Sequence, residues 1–246
     1  MEYIYFNNFN GQKLCGIISK SDSVKKLDTV IILCHGLGSN KDDKPYITLQ
    51  NKINALGITT FRMDLLGHGE SDGEFDDLTL TETIDDILCA KHELERRGYK
   101  NIGFIGTSFG GVGGIMVASL EQFKFLVFIS PPTHYDIKEM VKSSIHLLRE
   151  LVKVNKTTKK KKAHPSIRFF RDYGSYDSYD AAKKIKAPVL IIHGNKDNIV
   201  PLAKSRELHK RIKGSKFMVI LGADHQYTKA QNTLVKEVMI FVNKHI

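Results

Sequence analysis

Residues 103–114, "GFIGTSFGGVGG", set a single serine, Ser108, in a run that is half glycine and begins in an apolar stretch. Glycine loses more conformational freedom on folding than any other residue, so a run this dense implies a backbone that must bend tightly or approach another segment closely. Gly106-Thr107-Ser108-Phe109-Gly110 matches G-x-S-x-G and falls between a strand, "NIGFIG" (101–106), and a helix over 109–121. In that setting the pentapeptide reads as a nucleophile elbow, a strained turn that lifts the serine hydroxyl above the end of a sheet. Gly106 and Gly110 leave room where a Cβ would strike the neighbouring strand or helix. Gly111, Gly113 and Gly114 let the helix lie close to the sheet. The helix amino end favours negative charge beside Ser108. A glycine-rich packing motif with an incidental serine is the competing reading of the same letters.

Around this run, apolar strands alternate with amphipathic helices. Strands are expected at 29–35, 58–64, 101–106, 123–130, 187–194 and 216–222, and helices at 46–57, 80–98, 109–121, 202–213 and 229–244. Continuous apolar strands separated by helices imply a mostly parallel sheet covered on both faces. Two short runs ahead of them, "YIYF" and "LCGIIS", are split by Asn10-Gly11 and read as an antiparallel edge. The alternation breaks over 131–186, which opens on Pro131-Pro132. There Ile137, Met140, Val141, Ile145, Leu148 and Leu151 fall at helical spacing within 137–154. This segment reads as a cap inserted over the carboxyl edge of the sheet, where ligands bind in open α/β folds. Residues 1–130 and 187–246 form the core.

A serine hydroxyl barely ionises near neutrality, so it needs a base, and the base needs an orienting acid. "LIIHGNKDNIVP" places Asp197 in the loop after one later strand, and "VILGADHQY" places His225 in the loop after the next. The order serine, acid, histidine is the one this architecture uses. Asp224 adjoins His225, but neighbouring side chains in a loop seldom orient one another, and His193, at a strand end, suits a structural hydrogen bond. The oxyanion of an acyl transfer needs two N–H donors. Phe109 supplies one as the residue after the serine. Leu37, in the loop "HGLGSNKDD" that His35-Gly36 begins, is the choice for the other, although His35-Gly36 also reads as a plain turn.

The chain has 246 residues, 41% hydrophobic and 26% charged, enough for a buried core. No run reaches the roughly 18 apolar residues of a membrane helix, and no signal peptide is expected from the first residues. Three scattered cysteines, Cys15, Cys34 and Cys89, read as free buried thiols in a reducing cytoplasm. Of the net charge of +10, +8 lies within 131–187, peaking at "KVNKTTKKKK" (153–162), so nucleic acid is not an expected partner. The lysine run reads as a solvated loop or as an anion-binding element. No HExxH, Cys/His cluster or GxxxxGK[ST] occurs, and neither a metal nor another cofactor is expected.

Together these residues resemble the α/β-hydrolase superfamily over nearly the whole chain. "FRMDLLGHGESDGEFDDLT" (61–79) resembles the D-x-x-G-x-G-x-S segment of capped members, which assigns structural roles to Asp64, Gly67, Gly69 and Ser71, and to His68. "DGEFDDLT" and the short cap are most similar to feruloyl (cinnamoyl) esterases and related carboxylesterases. The resemblance implies an α/β-hydrolase fold and a cofactor-free serine carboxylesterase acting on a small-molecule ester, with aromatic-acid esters as a preference. Monoacylglycerol lipase, thioesterase and serine aminopeptidase are the enzyme alternatives. A hydrolase-fold binding protein that uses its basic cap on an anionic partner is the non-enzyme one. Phe169, Phe170, Tyr173, Tyr176 and Tyr179 cluster in "FFRDYGSYDSY" (169–179) and could embrace a phenolic acyl group or simply pack the cap; Arg168 and Arg171 could attract a carboxylate.

Overall fold

Each continuous apolar strand divides its side chains between two cores. In β3 (Thr29–Cys34), Val30, Ile32 and Cys34 face one core while Ile31 and Leu33 face the other. In β6 (Phe125–Ile129), Leu126 and Phe128 oppose Phe125, Val127 and Ile129. This period of two, with apolar residues at every position, is what a sheet buried on both faces requires. The computed structural model describes residues 1–20, 28–134 and 165–246.

These residues build an eight-stranded sheet. The other strands are β1 (Glu2–Asn7), β2 (Lys13–Ser19), β4 (Thr59–Met63), β5 (Asn101–Thr107), β7 (Val189–Gly194) and β8 (Lys216–Ile220), in the order β1-β2-β4-β3-β5-β6-β7-β8. All pairings from β4 to β8 are parallel. The opening pair lies at the edge as expected, but only β2 runs against the rest: it is antiparallel to both β1 and β4, so β1 points with the main body.

On one face lie α2 (Leu80–Arg96), α3 (Ser108–Ala118), α4 (Ile167–Gly174) and α6 (Leu202–Arg211), which contribute Leu80, Ile87, Val112, Ile115, Phe169 and Leu208 to the first core. On the other lie α1 (Lys44–Asn54) and α7 (Gln231–His245), through Leu49, Ile53, Leu234, Val238 and Phe241. A short α5 (Ser178–Ala182) precedes β7. Thr79 caps α2 by accepting from the Glu82 N–H, and Ser166 caps α4 by accepting from the Phe169 N–H, each satisfying a donor the helix leaves open.

The architecture is the expected α/β-hydrolase fold. Element ends differ by a few residues, and α3 starts at Ser108 itself. The helix expected over 137–154 and the lysine run 153–162 lie outside the described residues. No described helix is long and apolar enough to cross a membrane.

Candidate active site

Ser108 sits where β5 ends and α3 begins, with a φ of 49°. A non-glycine residue in the left-handed region costs free energy and persists only where its surroundings hold it. Here α3 crosses so near the end of β3 that a Cβ on Gly110 would overlap the carbonyl oxygen of His35. Gly113 makes its room for Thr83 and Ile87 of α2, not for the sheet, whereas Gly114 lies on the Phe104 ring of β5.

Three segments far apart in sequence meet at this turn. His225 Nε2 lies 3.1 Å from Ser108 Oγ, and His225 Nδ1 lies 2.7 Å from Asp197 Oδ2. Because the carboxylate only accepts, Nδ1 carries the proton of the neutral ring, and Nε2 is left to accept from the serine hydroxyl. The loops after β7 and β8 are stitched together by backbone bonds, Asn195 N–H to Ile220 O and Lys196 N–H to Ala223 O, which bring residues 28 apart into contact. Burial pushes the Asp197 carboxyl up, but hydrogen bonds from His193 and His225 outweigh it and hold the group well below the usual carboxylate range. A hydroxyl facing a bare imidazole nitrogen backed by a buried carboxylate is equipped to make an oxygen nucleophile.

The loop after β3 comes up against the serine: a Cβ on Gly36 would lie 3.0 Å from Ser108 Cβ. His35 shapes this loop by donating from Nδ1 to Gly36 O at 2.8 Å and accepting at Nε2 from the Leu65 N–H at 3.1 Å. His68 Nε2 accepts from the Gly38 N–H at 3.0 Å while its Nδ1 donates to Leu66 O. Leu37 is thus held between two braced residues, and its side chain packs on the first core. Phe109 is the second residue of α3, in the first turn, where N–H groups have no partner inside the helix.

The segment 61–79 forms a polar knot behind that loop. Asp64, fully buried, accepts from the Lys41 N–H at 2.7 Å and the Glu70 N–H at 3.0 Å, and Ser71 Oγ donates to its carbonyl. Gly67 and Gly69 take φ values of 69° and 55°. Cys15, Asp64 and Glu70 bring metal-type ligand atoms together. The Lys41 ammonium already bonds two of them, at 3.0 Å from Asp64 and 2.6 Å from Glu70. Cys15, Cys34 and Cys89 are free and buried.

The aromatic run behaves unevenly. Phe169 and Tyr173 are buried and lie 5.1 and 6.0 Å, centroid to centroid, from Phe109, and the Tyr173 hydroxyl donates to Pro132 O. Phe170 meets Phe169 edge-on at 5.3 Å. Tyr176 stands at the start of α2, 2.7 Å from Thr81 Oγ1, and lines a groove of about 270 Å³ with Phe9 and Asp85. Arg168 faces Glu82 at 3.5 Å.

Among solved structures, Est1E from Butyrivibrio proteoclasticus with ferulic acid bound is similar at a TM-score of 0.83, with 23% identity over 98% of both chains. Among curated proteins, the putative esterase YitV of Bacillus subtilis (strain 168) is 25% identical over 235 residues, 87% of this chain and 89% of that one. A mitochondrial palmitoyl-protein thioesterase of Bos taurus is 24% identical over 212 residues, 80% of this chain and 66% of that one. The model of the prolyl oligopeptidase family matches residues 50–246. The chain belongs to that family of hydrolases, within the α/β-hydrolase clan.

Proposed function

We propose that this protein is a serine hydrolase that cleaves carboxylic esters through an acyl-enzyme on Ser108. His225 Nε2 takes the hydroxyl proton as Oγ attacks the ester carbonyl, and the resulting imidazolium returns it to the leaving alcohol. Asp197 keeps the proton on Nδ1 and stabilises the imidazolium. The N–H groups of Leu37 and Phe109 bind the tetrahedral oxyanion, and water activated by His225 releases the acid. The chemistry calls for no cofactor. Residues 131–186 act as the cap, and Phe169, Phe170, Tyr173 and Tyr176 are the aromatic surface it offers an acyl group. The ferulic acid bound by Est1E supports an aromatic acyl preference.

A single observation carries this reading: the unbroken hydrogen-bond relay from Asp197 through His225 to the half-buried Ser108. Turnover of p-nitrophenyl acetate and methyl ferulate by the purified protein tests it. Ser108→Ala is expected to lower kcat by about 10⁴-fold or more; unchanged turnover ends the proposal. The family description and the thioesterase relative favour amide or thioester cleavage as a second reading. Ranking kcat/KM for an ester, a palmitoyl thioester and a prolyl peptide amide decides between them.

A further inference from the structure

The reaction above uses one imidazole, yet the same carboxylate oxygen meets two. His193, the penultimate residue of β7, places Nε2 at 3.2 Å from Asp197 Oδ2 and 3.0 Å from the carbonyl oxygen of Val200. Neither acceptor carries a hydrogen, so Nε2 must hold a proton. Nδ1 lies 2.7 Å from Ser205 Oγ, whose hydroxyl donates to it when the ring is neutral. The side chains of His193 and Asp197 are both 0% exposed. Oδ1 is taken separately by the N–H groups of Ile199 and Val200, at 2.9 and 2.8 Å. Two nitrogens therefore face each oxygen of the carboxylate, at 2.7 to 3.2 Å.

We propose that His193 is a positioning residue for Asp197: from the end of β7 it fixes which oxygen faces His225 and shares that oxygen's charge. The inference rests on the reading of Ser108, His225 and Asp197 as the reacting set. Rotation about the last bond of an aspartate is soft, with broad wells. The two backbone donors pin one oxygen from the loop after β7. His193 pins the other from the sheet, where β7 is paired on both sides, to β6 and β8. A bond to Val200 O alone would be enough to brace the loop. The shared oxygen is what ties His193 to the chemistry.

Two amide substitutions separate these roles. His193→Gln carries a side-chain nitrogen out to where Nε2 stands, and His193→Asn carries one only as far as Nδ1, beside Ser205. The Asn variant is expected to lower kcat for p-nitrophenyl acetate about tenfold with KM within about twofold, because a slightly misaligned relay slows the chemical step without touching substrate. The low-field proton resonance of His225 Nδ1–H should move further downfield, since that proton then has Oδ2 to itself. The Gln variant should restore both. Equal kcat and equal resonance in His193→Asn and the parent overturn the proposal, as does equal loss in both variants. If neither variant folds, ¹⁵N shifts of the histidines in the unmutated protein decide. A protonated Nε2 on His193 with a coupling across the hydrogen bond to the Asp197 carboxyl carbon supports the proposal, and a bare Nε2, or one coupled to Val200 alone, overturns it. Absent ester turnover in the parent, or undiminished turnover in Ser108→Ala, would instead sink the esterase reading and leave the resonance experiment standing.

Discussion

Two buried carboxylates, Asp64 after β4 and Asp197 after β7, stand near histidines, yet only one lies in a chain of groups that ends in an accessible nucleophile. Around Asp64 every hydrogen bond closes on backbone or on a cation: Lys41, 1% exposed, bonds Asp64, Asp42 and Glu70, and Arg62 bonds Asp42 and the Lys41 carbonyl. Burial pushes the Lys41 ammonium toward neutrality, but those three carboxylates outweigh it and hold its pKa above the ordinary lysine value. His35 and His68 spend both ring nitrogens on main-chain groups. Among the described residues no lysine or arginine pairs with Asp197, and the chain of donors runs through His225 to a hydroxyl that is only half-buried. The same side-chain types make a brace in one place and a relay in the other. What differs is whether the last acceptor in the chain is left for a substrate.

The sharpest break in this contrast comes from exchanging each carboxylate for an amide. Asp197→Asn should lower kcat about 10³–10⁴-fold, because the amide favours the wrong tautomer of His225, a loss that should persist per folded molecule whatever the change in thermal midpoint. A loss below tenfold, read by steady-state ester kinetics, would remove Asp197 from the relay. Asp64→Asn should do the opposite. Denaturant unfolding should show a loss of about 3 kcal/mol, toward the low end for a broken buried pair because Asp42 and Glu70 remain on Lys41. The folded fraction should keep kcat within about fivefold. A large kcat loss at unchanged stability would erase the distinction between brace and relay.

Acid sharpens the contrast further. Burial, with His68 nearby, pushes the pKa of His35 down to about 3 from the 6.5 usual for histidine. Above pH 6.5 both folded and unfolded chains hold the ring neutral, and its contribution to stability is complete. Between 6.5 and 3 the unfolded chain binds a proton that the folded one refuses, so stability falls as pH falls. From pH 7 to 4.5 this amounts to about 3 kcal/mol. The slope is the readout, because burial pushes Asp86 up to about 7, which works the other way over the same range. His35→Asn should remove the His35 part, so the stability difference between variant and parent should change by that amount between the two pH values. Parallel curves would mean that His35 already takes up its proton in the fold. The smallest effect is expected for Leu37→Ala. It contributes a backbone N–H, not a side chain, to the proposed oxyanion site, so kcat should change by less than about threefold. A hundredfold loss would show that its side chain holds the loop.

Much of this was legible beforehand, for local reasons. Apolar runs of strand length, spaced by helical periods, marked the elements because both faces of a parallel sheet must be covered. The glycines around Ser108 marked the tight turn. Asp197 and His225 could be singled out because parallel strands deliver their following loops to one edge. Other residues read differently in the chain than in the fold. Lys41 lies in the loop "HGLGSNKDD", and none of its neighbours there shows that the structure buries it against Asp64 and Glu70, 23 and 29 residues away. His193 reads in the sequence as a structural histidine, and its spacing of four from Asp197 does not by itself reveal that the loop doubles back to lay Asp197 on its ring. The aromatic run 169–179 reads equally as an acyl platform or as cap packing, and only the structure shows Phe169 and Tyr173 against Phe109, the residue after the serine.

The amino-acid order alone determined which segments become strands, where the backbone must turn, and which three side chains the ends of those strands would present. Only the tertiary structure decided the direction of β1, the partner of each buried charge, and the sharing of one carboxylate oxygen by two imidazoles. The reason is physical: propensity and periodicity act over a few residues, whereas the hydrogen-bond partner of a buried polar group is chosen by whatever the packed strands and loops bring within about 3 Å of it.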